Sequence, residues 1–276
     1  MFECVGSPAS CECGAYGIGT LKLDHQESLE TSKIADISRY WRDAMSQYSQ
    51  LHLTYHSDRL SALAGIARQY GTTHKNTLGR YVAGMWENTL VNDLLWLVAN
   101  GYQSNRPEVC YAPTWSWASV TGGTSTLALT STTQTLEIVG LELKLAGQDE
   151  FGALSTATLT VRGQLTPGSW RWVSRPGGWE GIHFYAYASG EETTHHLKLD
   201  YNFSVTGNSR HVAPGSTIFC LKTGFVAAGS HVFMVLRMVN EEQRVFERIG
   251  LLQGVSREEA EAWMSGEPEQ EIIHLV

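Results

Sequence analysis

Cysteine is scarce in this sequence: five residues in 276, an odd number. Met1-Phe2-Glu3-Cys4 has neither the basic stretch nor the apolar core of a secretory leader. Scarce, unpaired cysteines without an export signal imply a reduced, cytoplasmic setting. Asn202-Phe203-Ser204 matches a glycosylation acceptor, but inside the cell that match is silent. Basic residues are also in deficit, 20 against 28 acidic, for a net charge of −8. With no basic stripe, no nucleic-acid partner is expected. No apolar stretch reaches the ~18 residues of a spanning helix, so no membrane partner is expected either. Internal repeats are absent as well.

What is present describes a globular chain, 42% apolar and 17% charged, long enough for one large domain or two small ones. Residues 1–30 show no period and read as an irregular, cysteine-containing opening segment. Residues 31–105 carry helical spacing. Ile34, Ile37, Trp41, Met45 and Tyr48 fall on one helix face, with Thr31 or Ser32 as cap. Ser57 reads as an N-cap for a second helix that buries Leu60, Leu63, Ile66, Ala67 and Tyr70 and stops at Gly71. A third helical stretch is expected over 77–99, giving a bundle of three or four helices.

After Pro107 the pattern becomes that of strands. Segments 126–135, 136–145, 154–165, 182–188, 218–225, 232–239 and 245–252 alternate or cluster apolar residues between turn residues. Ser256 and Glu259 form a capping box for a short helix, and 271–276 reads as a closing strand. The fold class expected is α+β: an N-terminal helical bundle, then an antiparallel β sandwich or barrel over 106–276.

Candidate chemical groupings mostly dissolve. Cys4, Cys11 and Cys13 offer three thiolates to zinc, but His25 is the only nearby nitrogen and paired C-x2-C spacing is missing, so they read as reduced cysteines. His52 and His56 flank an extended Leu-Thr-Tyr segment and would stand roughly 13 Å apart, too far to share an ion. His195 and His196 are adjacent and read as solvent-facing turn residues. Ser116 lacks a nucleophile elbow, and the glycine-rich run 14–19 lacks the strand and helix of a phosphate cradle. Asp58 and Glu87 are assigned no catalysis. Trp170, Trp172 and Trp179 lie among Gly and Pro in an expected loop, where an aromatic ligand or glycan platform is the alternative to packing over a sheet edge. No catalytic, cofactor-binding or metal-binding residue is assigned.

Three phrases stand in order: the run 48–67 beginning Tyr48-Ser49-Gln50-Leu51, then Tyr81-Val82-Ala83-Gly84-Met85-Trp86, then Ala112-Pro113-Thr114-Trp115-Ser116-Trp117-Ala118-Ser119. Together they resemble the downstream half of fungal heterokaryon incompatibility (HET) domain proteins. Segments 4–14 and 244–250 resemble that family more loosely. The family's signature block, similar to a Toll/interleukin-receptor (TIR) fold, would lie upstream, so the chain reads as the back half of a larger protein. The resemblance implies a non-catalytic regulatory or interaction part in non-self recognition and programmed cell death. Its implied partners are a TIR-like block and a second copy of itself. The alternative it leaves open is a share in a TIR-like NAD-hydrolysing pocket, although none of the block's strands occurs here. The residue types also have physical readings of their own. Gly65 and Gly84 inside helical patterns imply close approach of a ring, with Trp86, Trp96, Trp115 and Trp117 as candidates. Trp115 and Trp117, two apart, are expected on one face at the start of a strand.

Overall fold

The computed structural model describes residues 25–51, 53, 55–109, 111–127, 135–175, 179–187, 195–226, 230–264 and 269–276. Cys4, Cys11, Cys13, His52 and the glycine-rich run 14–19 lie outside them. Helical residues 25–30 (α1) precede α2 (Ile34–Ser49), whose Ile37, Trp41 and Met45 are buried while Ile34 is exposed. Its N-cap is Lys33, not Thr31 or Ser32, and no side chain caps it. α3 (Arg59–Thr73) buries Leu60, Leu63, Ala67 and Tyr70 and leaves Ile66 exposed. Ser57 does not cap it: a 3-10 turn (His56–Asp58) intervenes, and the Ser57 hydroxyl donates to Asp58 Oδ1 at 3.0 Å. Nor does Gly71 end it. The helix runs through Gly71, where a Cβ would meet the Phe151 ring at 2.9 Å.

The long helix expected over 77–99 is replaced by shorter pieces. α4 (Lys75–Leu78) is one turn, β1 (Tyr81–Val82) and β2 (Met85–Trp86) form a hairpin, and α5 (Leu90–Asp93) is again one turn. β3 (Trp96–Val98) then pairs antiparallel with β4 (Thr124–Thr126). All six residues from 81 to 86 are buried, so apolar spacing there reflects burial on every side and not a helix face.

Among the described residues that follow, one sheet of nine strands forms: β5 (Glu137–Leu145), β6 (Leu154–Gly163), β7 (Leu165–Arg175), β8 (Trp179–Ala186), β9 (Lys198–Leu199), β10 (Thr217–Phe225), β11 (His231–Asn240), β12 (Val245–Val255) and β13 (Glu271–Leu275). Their order is β5-β6-β13-β12-β11-β10-β7-β8, with β9 paired to β12. The pairing is antiparallel except between β12 and β13, where Val245 faces His274 and Phe246 faces Leu275 in parallel. The sheet is therefore mixed, not purely antiparallel. α6 (Arg257–Trp263) follows β12 with its capping box in place: Ser256 Oγ accepts from Glu259 N, and the Glu259 carboxylate accepts from Ser256 N. The loop expected around Trp170 and Trp172 is instead strand β7, and Trp179 begins β8. One continuous buried cluster runs from Ile37 and Trp41 of α2 to Ile273 and Leu275 of β13.

Candidate functional site

The β1–β2 turn is the centre of a joint between helices and sheet. Ala83 and Gly84 have φ of +51° and +92°. A two-residue hairpin turn twisted like its strands demands positive φ at both positions, at a cost of about 1–2 kcal/mol for a residue with a Cβ. Three donors hold the turn. Ser116 Oγ donates to Ala83 O at 2.7 Å, and the indole Nε1 groups of Trp41 and Trp117 both donate to Gly84 O at 3.1 Å. A Cβ on Gly84 would stand 2.5 Å from Trp117 Nε1. The close approach expected at Gly84 is thus present, but among the described residues nothing lies within 4 Å of a Cβ at Gly65.

Trp115 and Trp117 do not open a strand. Trp117–Ser119 is a 3-10 turn capped by Ser116, whose hydroxyl accepts from Ala118 N at 3.1 Å, and both indoles are buried. Ser116 is therefore a turn fastener. Thr114 carries the joint into the sheet: its amide donates to Val276 O at 2.8 Å, and its hydroxyl accepts the Arg248 amide at 3.1 Å.

Beneath this joint lies a buried charge network that sequence reasoning missed. The Arg248 guanidinium stacks over the Trp96 ring at 3.7 Å. It donates to Asp200 Oδ2 at 3.0 Å and Oδ1 at 3.2 Å, and also to the carbonyls of Leu94 and Trp96. Arg106 approaches Asp200 Oδ2 at 3.6 Å, donates to the Arg248 and Thr114 carbonyls, and sits 4.6 Å over the Tyr201 ring. Burial pushes the Asp200 carboxyl up, and the two guanidinium groups pull it back. The side chains are at most 1% exposed, so the network fastens elements and faces no substrate. One signal existed in the sequence: Arg248 shares strand parity with Phe246, which is buried. Asp93 repeats the design on a smaller scale, accepting from Thr89 Oγ1 at 2.6 Å and pairing with Arg42 Nη1 at 3.2 Å.

The partly open cluster is at the β7–β8 end. Trp172, 47% exposed, pairs with Ile182 across the ladder, and its indole meets Tyr102 edge-on at 5.8 Å. The Tyr102 hydroxyl accepts the Ile182 amide at 3.2 Å and lies 3.4 Å from His196 Nε2. His196 bridges to His183 of β8, their rings T-shaped at 6.0 Å. Gly181 admits the imidazole: a Cβ there would stand 2.2 Å from His196 Cδ2. Burial, then Lys198 and His183, lowers the His196 pKa, so the ring is neutral near pH 7. An exposed indole beside a neutral imidazole and a phenol is a set suited to stacking and hydrogen-bonding a polar ring.

His195 and His196 are therefore not solvent-facing turn residues. His196 packs on β8, and His195 Nε2 lies 2.9 and 3.0 Å from the two Glu259 oxygens of α6, with Trp263 against its ring at 6.3 Å. His25 Nε2 lies 2.7 Å from Gln69 Oε1. Glu87 is spent on Arg80, at 2.8 Å. Trp170 is buried against Phe203 at 5.4 Å and takes no part in the open cluster. Among the described residues, no group of three or more His, Cys, Asp or Glu side chains is placed to hold a metal ion, and no helix is long and apolar enough to cross a membrane. No protein-family model matches the chain, and no curated protein or solved structure matches it.

Proposed function

We propose that this chain is the interaction portion of a HET-type incompatibility protein and that it works by binding. The observation that carries the reading is how the three phrases are used. Their tryptophans, Gly84, Ser116 and Thr114 are frame parts of one joint, whereas Leu51 and Tyr55 of the first phrase stand 58% and 67% exposed. This reading assigns these two apolar side chains to the contact with the partner. The partner this reading names is a TIR-like block, in the same chain or another. Titration calorimetry of the purified chain against such a block should show binding that Leu51→Ser with Tyr55→Ala weakens. Absence of any binding removes the reading.

A second reading is favoured by the Trp172, Tyr102 and His196 cluster: a ligand-binding β domain taking a glycan or other polar ring. A glycan array should then show a ligand whose binding Trp172→Ala abolishes while the circular dichroism spectrum stays unchanged. An array with no hit on the wild-type chain counts against it.

The same proposal extends to the sheet, which we read as a barrel. β6 and β7 are separated only by Gln164, yet they stand apart in the strand order, and Lys222 N of β10 donates to Gln164 O at 3.0 Å. A strand bent there joins both arms of the sheet. The Lys222 amide should then exchange with deuterium as slowly as amides of β11. Fast exchange would leave the sheet open at that corner.

A further inference from the structure

The two ends of the strand order are treated differently. The outer edge of β8 is occupied: Leu197 N donates to Ile182 O at 2.8 Å, His196 bridges to His183, and Tyr102 takes the Ile182 amide. Among the described residues, β5 pairs only with β6, and no strand lies on its outer edge. Glu142, Lys144 and Leu145 are exposed there, as is Val139. Val139 is the extra residue of a bulge between Ile138 and Gly140. The irregularity at Lys144 and Leu145 comes from Ser155 on β6, so 140–145 is regular in β5 itself.

That stretch is complementary to itself. Alternation puts Leu141, Leu143 and Leu145 on one face and Glu142 and Lys144 on the other. An antiparallel pair of β5 edges related by a twofold at Leu143 sets Leu143 against Leu143 and Leu141 against Leu145. It also sets Glu142 against Lys144, twice. The neighbouring registers lose this. A twofold at Leu141 puts Glu142 opposite Gly140, and twofolds at Glu142 or Lys144 put like charges face to face. A lysine on an edge strand ordinarily discourages pairing, but here the chain's own sequence supplies its counter-ion.

We infer that the chain self-associates as a twofold dimer through antiparallel pairing of β5 edges in the Leu143-centred register. An edge contact of this length buries less than about 1,200 Å², so the dimer is weak and depends on concentration. The inference does not rest on the function proposed above, and it gives self-association a defined surface.

Sedimentation velocity across a concentration series at low salt tests it. The expected result is a monomer–dimer equilibrium that Lys144→Glu weakens by about tenfold, because two attractive pairs become two repulsive ones. Glu142→Lys should do the same, and the double variant E142K/K144E should restore the wild-type equilibrium. Both side chains are exposed, so circular dichroism and melting temperature should stay unchanged. A chain that remains monomeric throughout, a dimer indifferent to the single reversals, or a double variant that fails to restore it overturns the proposal. Binding of the E142K and K144E variants to a TIR-like block is measured separately, so failure of one reading is distinguishable from failure of the other.

Discussion

Gly65 lies in the first of the resembling phrases and Gly84 in the second, and the structure assigns them opposite sensitivities. At Gly84 the backbone has φ +92° and Trp117 Nε1 lies 2.5 Å from any Cβ. Gly84→Ala should cost about 3 kcal/mol, from left-handed strain plus a displaced indole. Gly65 is inside α3 with open space around it, so Gly65→Ala should stabilise by about 0.5–1 kcal/mol through helix propensity. Urea denaturation of the two variants checks both signs. His231 supplies a pH test at the same scale. It is buried, with neither ring nitrogen bonded among the described residues, between Phe225 at 4.1 Å and Phe233 at 6.2 Å. Burial, then Lys222 and Arg257, lowers its pKa from 6.5 to about 4, with Glu261 opposing. The unfolded chain therefore takes up a proton near pH 6.5 that the folded chain refuses until about pH 4. Stability contributed by this residue is full above pH 6.5 and falls as pH drops toward 4. His231→Phe should flatten that slope in thermal melts across the same range.

At the scale of elements, legibility followed the number of faces buried. α2 and β10 to β13 have patterns that place them from the sequence, because their side chains divide between core and water or fall between clear turn residues. The hairpin β1–β2 is buried all round, so its apolar spacing carries no period of its own, and a helix template fitted it as well as anything. β7 was hidden differently. Pro167 and Gly168 beside the tryptophans made it look like a loop, but it pairs on both sides, with β10 and β8. Local hydrogen-bond chemistry is the opposite case. The Ser256 and Glu259 capping box needs only four residues, and it is present as spaced. Ser256→Ala should cost about 1 kcal/mol, measured by urea denaturation. It should also loosen His195, because Glu259 serves both the cap and that ring, and a shift of the His195 ring signals in NMR would report it.

Over the whole molecule, the Arg248 network is what ties β12 to the segment around β3. A single guanidinium serves Asp200 and the carbonyls of Leu94 and Trp96 while stacking on an indole. Arg248→Met removes four donor contacts and leaves Asp200 buried with Arg106 alone, which should cost about 3–5 kcal/mol in chemical denaturation. Arg248→Lys should rescue little of that, because a point charge cannot reach acceptors spread across a planar fork. By itself the sequence determined the α+β class, the helices α2 and α3, most strands of the sheet and the cap of α6, since each depends on spacing or on bonds between near neighbours. Only the tertiary structure decided that Tyr81–Trp86 is a hairpin, that β13 joins β12 in parallel, and that Tyr102, Trp172 and His196 meet. It alone placed Arg106, Asp200 and Arg248 on one another. Those outcomes depend on contacts between residues far apart in the chain, whose free energy no local pattern records.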